Sequence, residues 1–199
     1  MMDFYTITVP PAELPVTLAE VKTYLRVTNS AEDGILSGLI QAVVNELENY
    51  TGRFFISRTV MGEYDRLEWS KFERFSFAEL RRSPLGAVTS VSVIEDGGTT
   101  DVTTDTELKD TAGYARVLFP EMLPTPKINE PRPLQIVFTA GYGDATAVPE
   151  EIKTAIKMGV NFYFRNRGDC GAECGNNKAS QSPVIQGALS NYKILTTFA

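Results

Sequence analysis

The stretch EDGILSGLIQAVVNELENYTG, residues 32–52, decides how the rest of the chain is read. Its apolar residues Ile35, Leu36, Leu39, Ile40, Val43, Val44, Leu47 and Tyr50 recur at steps of one, three and four. Ser37, Gln41, Asn45, Glu46 and Glu48 fall opposite them. That spacing is the signature of an amphipathic helix of about four to five turns whose apolar stripe packs into a core. Glu32 and Asp33 stand where the positive end of the helix dipole favours acids, and Ser30 is the expected cap. Gly52 supplies the left-handed stop.

Upstream, VTLAEVKTYLRV (16–27) reads as a shorter helix opened by a capping box of Thr17 and Glu20, with Leu18, Val21 and Leu25 on one face. Downstream, the periodicity changes. The stretches FFISRTVMGEYDRLEW (54–69), FERFSFAEL (72–80), AVTSVSVIEDGG (87–98), ARVLF (115–119) and LQIVFTAGYG (134–143) are β-branched and aromatic with partial alternation. Asp96-Gly97-Gly98 reads as a hairpin turn, and the five prolines of PEMLPTPKINEPRP (120–133) make that segment a loop. Strand follows strand with no helix between, so a mainly antiparallel sheet is expected.

A third helix is expected within VPEEIKTAIKMGVNFYFRNRG (148–168), with Pro149 at its first position and Glu150 and Glu151 in its first turn. Ile152, Ala155, Ile156, Val160 and Tyr163 form its face, and Met158, Phe162 and Phe164 make the last turns apolar nearly all round. Such an end is covered on more than one side, by the β region or by another subunit. Arg165 and Arg167 suit the negative end of the helix, and Gly168 its stop. The glycine-rich DCGAECGNNKASQS (169–182) then reads as a mobile loop. PVIQGALSNYKILTTFA (183–199) is either a docking segment or a strand folded back on its own domain.

The 199 residues carry a formal charge of −6, 43% hydrophobic residues and no histidine. The acidic balance argues against binding nucleic acid by neutralising phosphates. Without histidine, Ser–His–Asp and Cys–His catalysis and His-containing zinc sites are excluded. The two cysteines, Cys170 and Cys174, number too few for a structural zinc site and follow a helix C-terminus, where the dipole does not favour a thiolate. AGYGD (140–144) has a G-x-G but no third glycine at the spacing of a dinucleotide site, so it reads as a turn. Glu63, Asp65 and Glu68 read as surface acids rather than as a glycosidase pair. No catalytic residue, metal site or cofactor site is therefore expected. No apolar run reaches the ~18 residues of a membrane span, and the N-terminus lacks the pattern of a signal peptide, so a soluble intracellular protein is expected. Charge alternates in blocks: residues 1–50 hold seven acids and two bases, and residues 83–148 nine acids and four bases. Residues 51–82 hold seven bases and five acids, and residues 149–199 six bases and four acids. Blocks of opposite sign suit subunit-to-subunit complementarity.

The order of LPVTLAEVKTYLRV (14–27), AEDGILSGLIQAVVNELENYTGR (31–53), SPLGAVTSVSVIEDGG (83–98) and FTAGYGDATAVPEEIKTAIKMGVNFYFRNRG (138–168) resembles the head–tail connector, or adaptor, family of tailed phages and gene transfer agents. The resemblance spans roughly residues 14–168. It implies an α+β fold: a small helical bundle with an inserted, mainly antiparallel β region and an extended C-terminal arm. The expected divisions are 1–53 for the N-terminal helices, 54–143 for the β region, 144–168 for the third helix, and 169–199 for the loop and arm.

The resemblance also implies a nonenzymatic virion neck protein, assembled in the host cytoplasm. Its copies form a ring, expected to be of twelve, below the portal protein. The next neck or tail protein, the stopper, binds on the other side, and DNA passes through without specific binding. The expected portal-docking residues are Pro183, Val184, Ile185, Leu189, Tyr192, Ile194, Leu195 and Phe198. Met158, Phe162, Phe164, Arg165 and Arg167 are the expected subunit interface. The alternatives are another neck component, a stopper or tail terminator, and, from a different class, a small intracellular hydrolase.

Overall fold

The structure is a computed structural model that describes residues 4–64, 77–80, 82–111, 114–119, 124–166 and 178–194. The fold is α+β and divides into two units: Met1–Pro11 with Ser57–Tyr142, and Ala12–Ile56 with Gly143–Ala199.

The helical unit is built from α1 (Leu18–Leu25), α2 (Asp33–Thr51), α3 (Glu150–Arg165), a 3-10 turn (Ala179–Gln181) and α4 (Pro183–Leu189). The capping box is present: Thr17 N–H donates to Glu20 Oε2 at 2.6 Å, and Glu20 N–H donates to Thr17 Oγ1 at 3.2 Å. The Thr17 N–H foremost, and then the Thr17 hydroxyl, which donates to Glu20 Oε2 at 2.7 Å, hold the Glu20 carboxyl below its usual range. Gly52 ends α2 in the left-handed region at φ 74°, as its position predicts. Ser30 is not the cap of α2. The helix starts at Asp33 after Glu32, no side chain caps it, and the Ser30 carbonyl accepts from Asp33 N–H. Lys22 Nζ, 2.6 Å from Asp33 Oδ1, ties α1 to that first turn.

The buried stripe of α2 is Leu36, Ile40, Val43, Val44, Leu47, Glu48 and Thr51. It is rotated from the stripe read off the sequence. Ile35 is 50% exposed and Leu39 is half-buried, whereas Glu48, expected on the polar side, is only 4% exposed. The cause lies beyond Gly52, where the chain doubles back so that Phe55 N–H donates to Glu48 Oε1 at 2.8 Å. A buried carboxylate is tolerated because it meets donors there. On α3, Ile152, Ala155, Ile156, Gly159 and Val160 face inward. Gly159 permits close approach: a Cβ there would lie 2.7 Å from Val43 Cγ1 and 3.3 Å from Ala179 Cβ. Pro149 precedes α3 as its cap residue, and the helix ends at Arg165 with Asn166 N–H bonded to the Phe162 carbonyl. Gly168 lies outside the described residues.

Among the described residues, the β unit holds eight strands: β1 (Phe4–Val9), β2 (Arg58–Tyr64), β3 (Phe77–Leu80), β4 (Leu85–Glu95), β5 (Gly98–Asp101), β6 (Glu107–Thr111), β7 (Tyr114–Leu118) and β8 (Leu134–Ala140). They form a five-stranded sheet, β1-β2-β8-β4-β5, and a three-stranded sheet, β3-β7-β6. Every pairing is antiparallel. The Asp96-Gly97 hairpin joins β4 to β5, with Glu95 opposite Gly98. Central strand β8 alternates strictly, burying Leu134, Ile136, Phe138 and Ala140. Among the described residues, Val60, Val91, Val93, Ala78, Leu80 and Val117 are also buried in the two sheets, as is Phe119 just after β7. The proline-rich segment forms no strand among its described residues, but Lys127 N–H bonds the Ile94 carbonyl and Ile94 N–H bonds that of Pro133. The N-terminal residues belong with this unit rather than with the helices that follow them. Phe4–Val9 pairs with β2, and its Thr6 and Thr8 alternate with Tyr5, Ile7 and Val9 in the period-two pattern of a strand.

Candidate assembly surface

The segment after the glycine-rich stretch is held by three hydrogen bonds at the α2–α3 contact. Tyr163 Oη donates to Glu46 Oε2 at 2.7 Å, Ser180 N–H to Glu46 Oε1 at 2.7 Å, and Ala179 N–H to Tyr163 Oη at 3.2 Å. Burial, and then the bond to Glu46, raises the Tyr163 hydroxyl above its ordinary pKa. Past this anchor, Pro183 opens α4 at its first position, where no N–H is needed. Ile185 and Leu189 then bury against the bundle. The chain continues with Ile194 N–H bonded to the Thr51 carbonyl at 2.9 Å, Tyr192 Oη bonded to Glu151 Oε2 at 3.1 Å, and Lys193 Nζ 4.6 Å from the centre of the Tyr50 ring. Arg53 Nε also donates to the Tyr192 carbonyl. Residues 178–194 are thus largely helical and fold back on their own unit.

This placement divides the residues expected to dock on a portal. Ile185 and Leu189 are core residues, and Tyr192 and Ile194 are half-buried with partners of their own. Pro183 is exposed, and Val184 is 63% exposed. Leu195 and Phe198 lie outside the described residues. Of the expected subunit-interface residues, Met158, Phe162 and Phe164 are half-buried and Arg165 is exposed, so the described residues do not close over the last turns of α3. Arg167 lies outside the described residues, as do Cys170 and Cys174.

What the fold brings together is a cleft of about 350 Å³. Met158, Phe162 and Arg165 from α3 face Val184 and Ile185 from α4, with Asn161, Asn166 and Ser182 adding polar groups. Tyr24 of α1 completes the wall. Tyr24 was not singled out in the sequence. Its signal was an aromatic off the apolar face of a short helix, one residue short of Leu25. The cleft offers apolar walls and one guanidinium, which suit a protein surface more than a small substrate.

Elsewhere the acids are structural. Glu63 accepts from Arg132 Nη1 at 2.7 Å and from Gln135 Nε2 at 3.5 Å, whereas Asp65 and Glu68 lie outside the described residues. Asp144 closes the turn after AGYG by accepting from Thr146 N–H and Oγ1 and from Ala147 N–H; the Thr146 hydroxyl leads in lowering its pKa. Among the described residues, no three acids or cysteines converge on a metal-sized site, and no helix is long and apolar enough to cross a membrane.

Residues 15–74 match the family model of the phage gp6-like head-tail connector protein, which bears out the resemblance read from the sequence. The fold of the whole chain is also that of proteins in the necks of gene transfer agent particles. One match, in the virion of a native gene transfer agent particle, has a TM-score of 0.77 at 20% identity and covers 98% of both chains. A second, in the neck of an empty particle computed with C6 symmetry, has a TM-score of 0.74 at 20% identity and covers 100% of this chain and 98% of the other. A third, in the neck of the native particle computed with C12 symmetry, has a TM-score of 0.73 at 22% identity with the same coverage. No curated protein sequence matches the chain.

Proposed function

We propose that this chain is a head–tail adaptor: a nonenzymatic subunit that forms a ring in the neck of a phage-like particle and joins portal to tail. The family match over residues 15–74 is the observation that carries this reading. It covers α1, α2 and β2, and so takes in both units. The likeness of fold over the full chain to neck proteins of symmetric particles supports a place in the virion neck and self-association into a ring. On this reading the ring has twelve copies. It receives the portal on one side and a stopper on the other, and it passes DNA without gripping it. The net charge of −6 suits that passage, because the chain lacks the excess of cations that binds phosphates.

The portal contact falls to Val184, which the bundle leaves exposed, and to Leu195 and Phe198 as read from the sequence. The test is electron microscopy of the purified chain mixed with its portal protein. The expected result is a ring of copies seated coaxially on the portal. Portals that remain bare at saturating chain would overturn the assignment.

A further inference from the structure

Of the two edges of the five-stranded sheet, β1 carries the uncovered apolar surface. Tyr5 is 37% exposed, Ile7 42% and Val9 55%. In an antiparallel ladder, directly paired residues share a face. Ile7 therefore extends the row of Val60 and Phe138, and Tyr5 extends that of Gly62 and Ile136. Val60, Phe138 and Ile136 are fully or almost fully buried. The buried face of the sheet thus runs out uncovered over its last strand. An edge strand with exposed apolar residues is a template for pairing with another chain unless something blunts it. Residues 4–11 contain no charge to do so.

The opposite edge has the opposite character. From Glu95 to Glu107 the chain carries five acids and no base, and β5 lies within that stretch. Asp96 and Asp101 are exposed. Beside β1 the Arg82 guanidinium lies 4.7 Å from the centre of the Tyr5 ring. A cyclic ring needs two different, complementary patches on each subunit.

We infer that these two edges are that pair: β1 of one copy joins β5 of the next, so that the sheets run on from subunit to subunit. The inference rests on the ring-forming adaptor reading and names its contact. Each step across β1-β2-β8-β4-β5 reverses direction, so β1 and β5 run the same way. Rotation about a ring axis preserves direction along that axis, so the junction is parallel. β5 has only four residues, and parallel pairing is the weaker kind. One junction is therefore weak alone, and closure of the ring makes the set stable.

The test uses particles assembled with the full chain, with Cys170 and Cys174 replaced by serine. Ile7→Cys and Thr100→Cys are introduced together, since Thr100, opposite Val93, lies on the same face as Ile7. A short bis-maleimide should then give a ladder of covalent multimers on a denaturing gel, whereas Ile7→Cys alone should stay monomeric. Dimers from Ile7→Cys alone would mean that β1 meets β1, and that overturns the inference. So would monomers alone from particles that contain the double variant. Particles that lack the chain altogether would overturn the adaptor reading itself, and this contact with it. As an independent check, Ile7→Lys should leave the thermal melt of the free chain unchanged and abolish its incorporation. Normal incorporation of that variant would also overturn the inference.

Discussion

The Tyr163 hydroxyl donates to Glu46 at 2.7 Å, and both groups then accept from the backbone of residues 179 and 180. One side-chain pair thereby joins α2 to α3 and fixes where the C-terminal segment begins. Tyr163→Phe should cost about 0.5–1.5 kcal/mol, since Glu46 is half-exposed and water can replace the lost donor. Hydrogen exchange should quicken first at Ala179 and Ser180. Uniform acceleration over the whole chain would show that the bond is no local anchor.

The same hydroxyl makes an alkaline prediction. Its folded pKa lies above the ordinary 10.0, through burial and Glu46. The group therefore contributes fully below pH 10.0 and loses its contribution as pH rises through the folded value. Tyr163→Phe should remove one late-titrating residue from the tyrosinate absorbance of the parent.

Two helical glycines should respond to alanine with opposite signs. Gly38 has nothing within 4 Å of its missing Cβ, so Gly38→Ala should stabilise the chain by roughly 0.5–1 kcal/mol. Gly159→Ala would press a methyl against Val43 and Ala179 and should destabilise by about 1–3 kcal/mol. Val43 is β-branched and has little rotamer freedom to yield. Equal effects in a denaturant melt would contradict the α2–α3 packing.

The rotated stripe of α2 predicts a graded series. Leu36→Ala and Ile40→Ala should each cost ~2–5 kcal/mol, because both side chains are fully buried. Leu39→Ala should cost less than either, and Ile35→Ala should stay within about 0.5 kcal/mol. A Leu39 cost equal to that of Ile40 would restore the stripe as the sequence alone suggested.

At the acid end, Glu20 is the group to follow. Its pKa is depressed, first by the Thr17 backbone N–H. It therefore contributes stability above pH 4.5, which is lost as pH falls through the folded value. The melts of parent and Glu20→Gln should differ at neutral pH and converge in acid. Thr17→Ala should cost about 1 kcal/mol through the lost cap.

Truncation separates the folding role of the C-terminal segment from its docking role. Removing residues 183–199 takes out Ile185 and Leu189, which should cost about 1.5–3 kcal/mol for each buried side chain. Stopping at Ile194 keeps Ile185 and Leu189 in place and should weaken portal binding in a co-sedimentation assay. Undiminished binding would remove Leu195 and Phe198 from the contact.

Much of this architecture was legible locally. The Thr17–Glu20 box, the stop at Gly52, the Asp96-Gly97 hairpin and the alternation of β8 each rest on residues within a few positions of one another. Turn geometry and side-chain period act at that range. The existence of three long-range relationships was not legible. Glu48 is buried because Phe55 returns to it, α4 is core because Glu46 and Tyr163 capture its leading turn, and residues 4–9 are a strand because β2 offers a free ladder.

The sequence by itself determined the three helices α1 to α3, the mainly antiparallel character of the region between α2 and α3, and the family resemblance, because propensity, periodicity and capping are local. Tertiary structure alone decided which side of α2 is buried, whether residues 178–194 fold back, and which of their apolar side chains stay exposed. Burial is a property of what lies opposite a residue in space. Ile185 and Val184 are adjacent, equally apolar and equally suited to a helix; only the packing of α4 makes one of them core and leaves the other exposed.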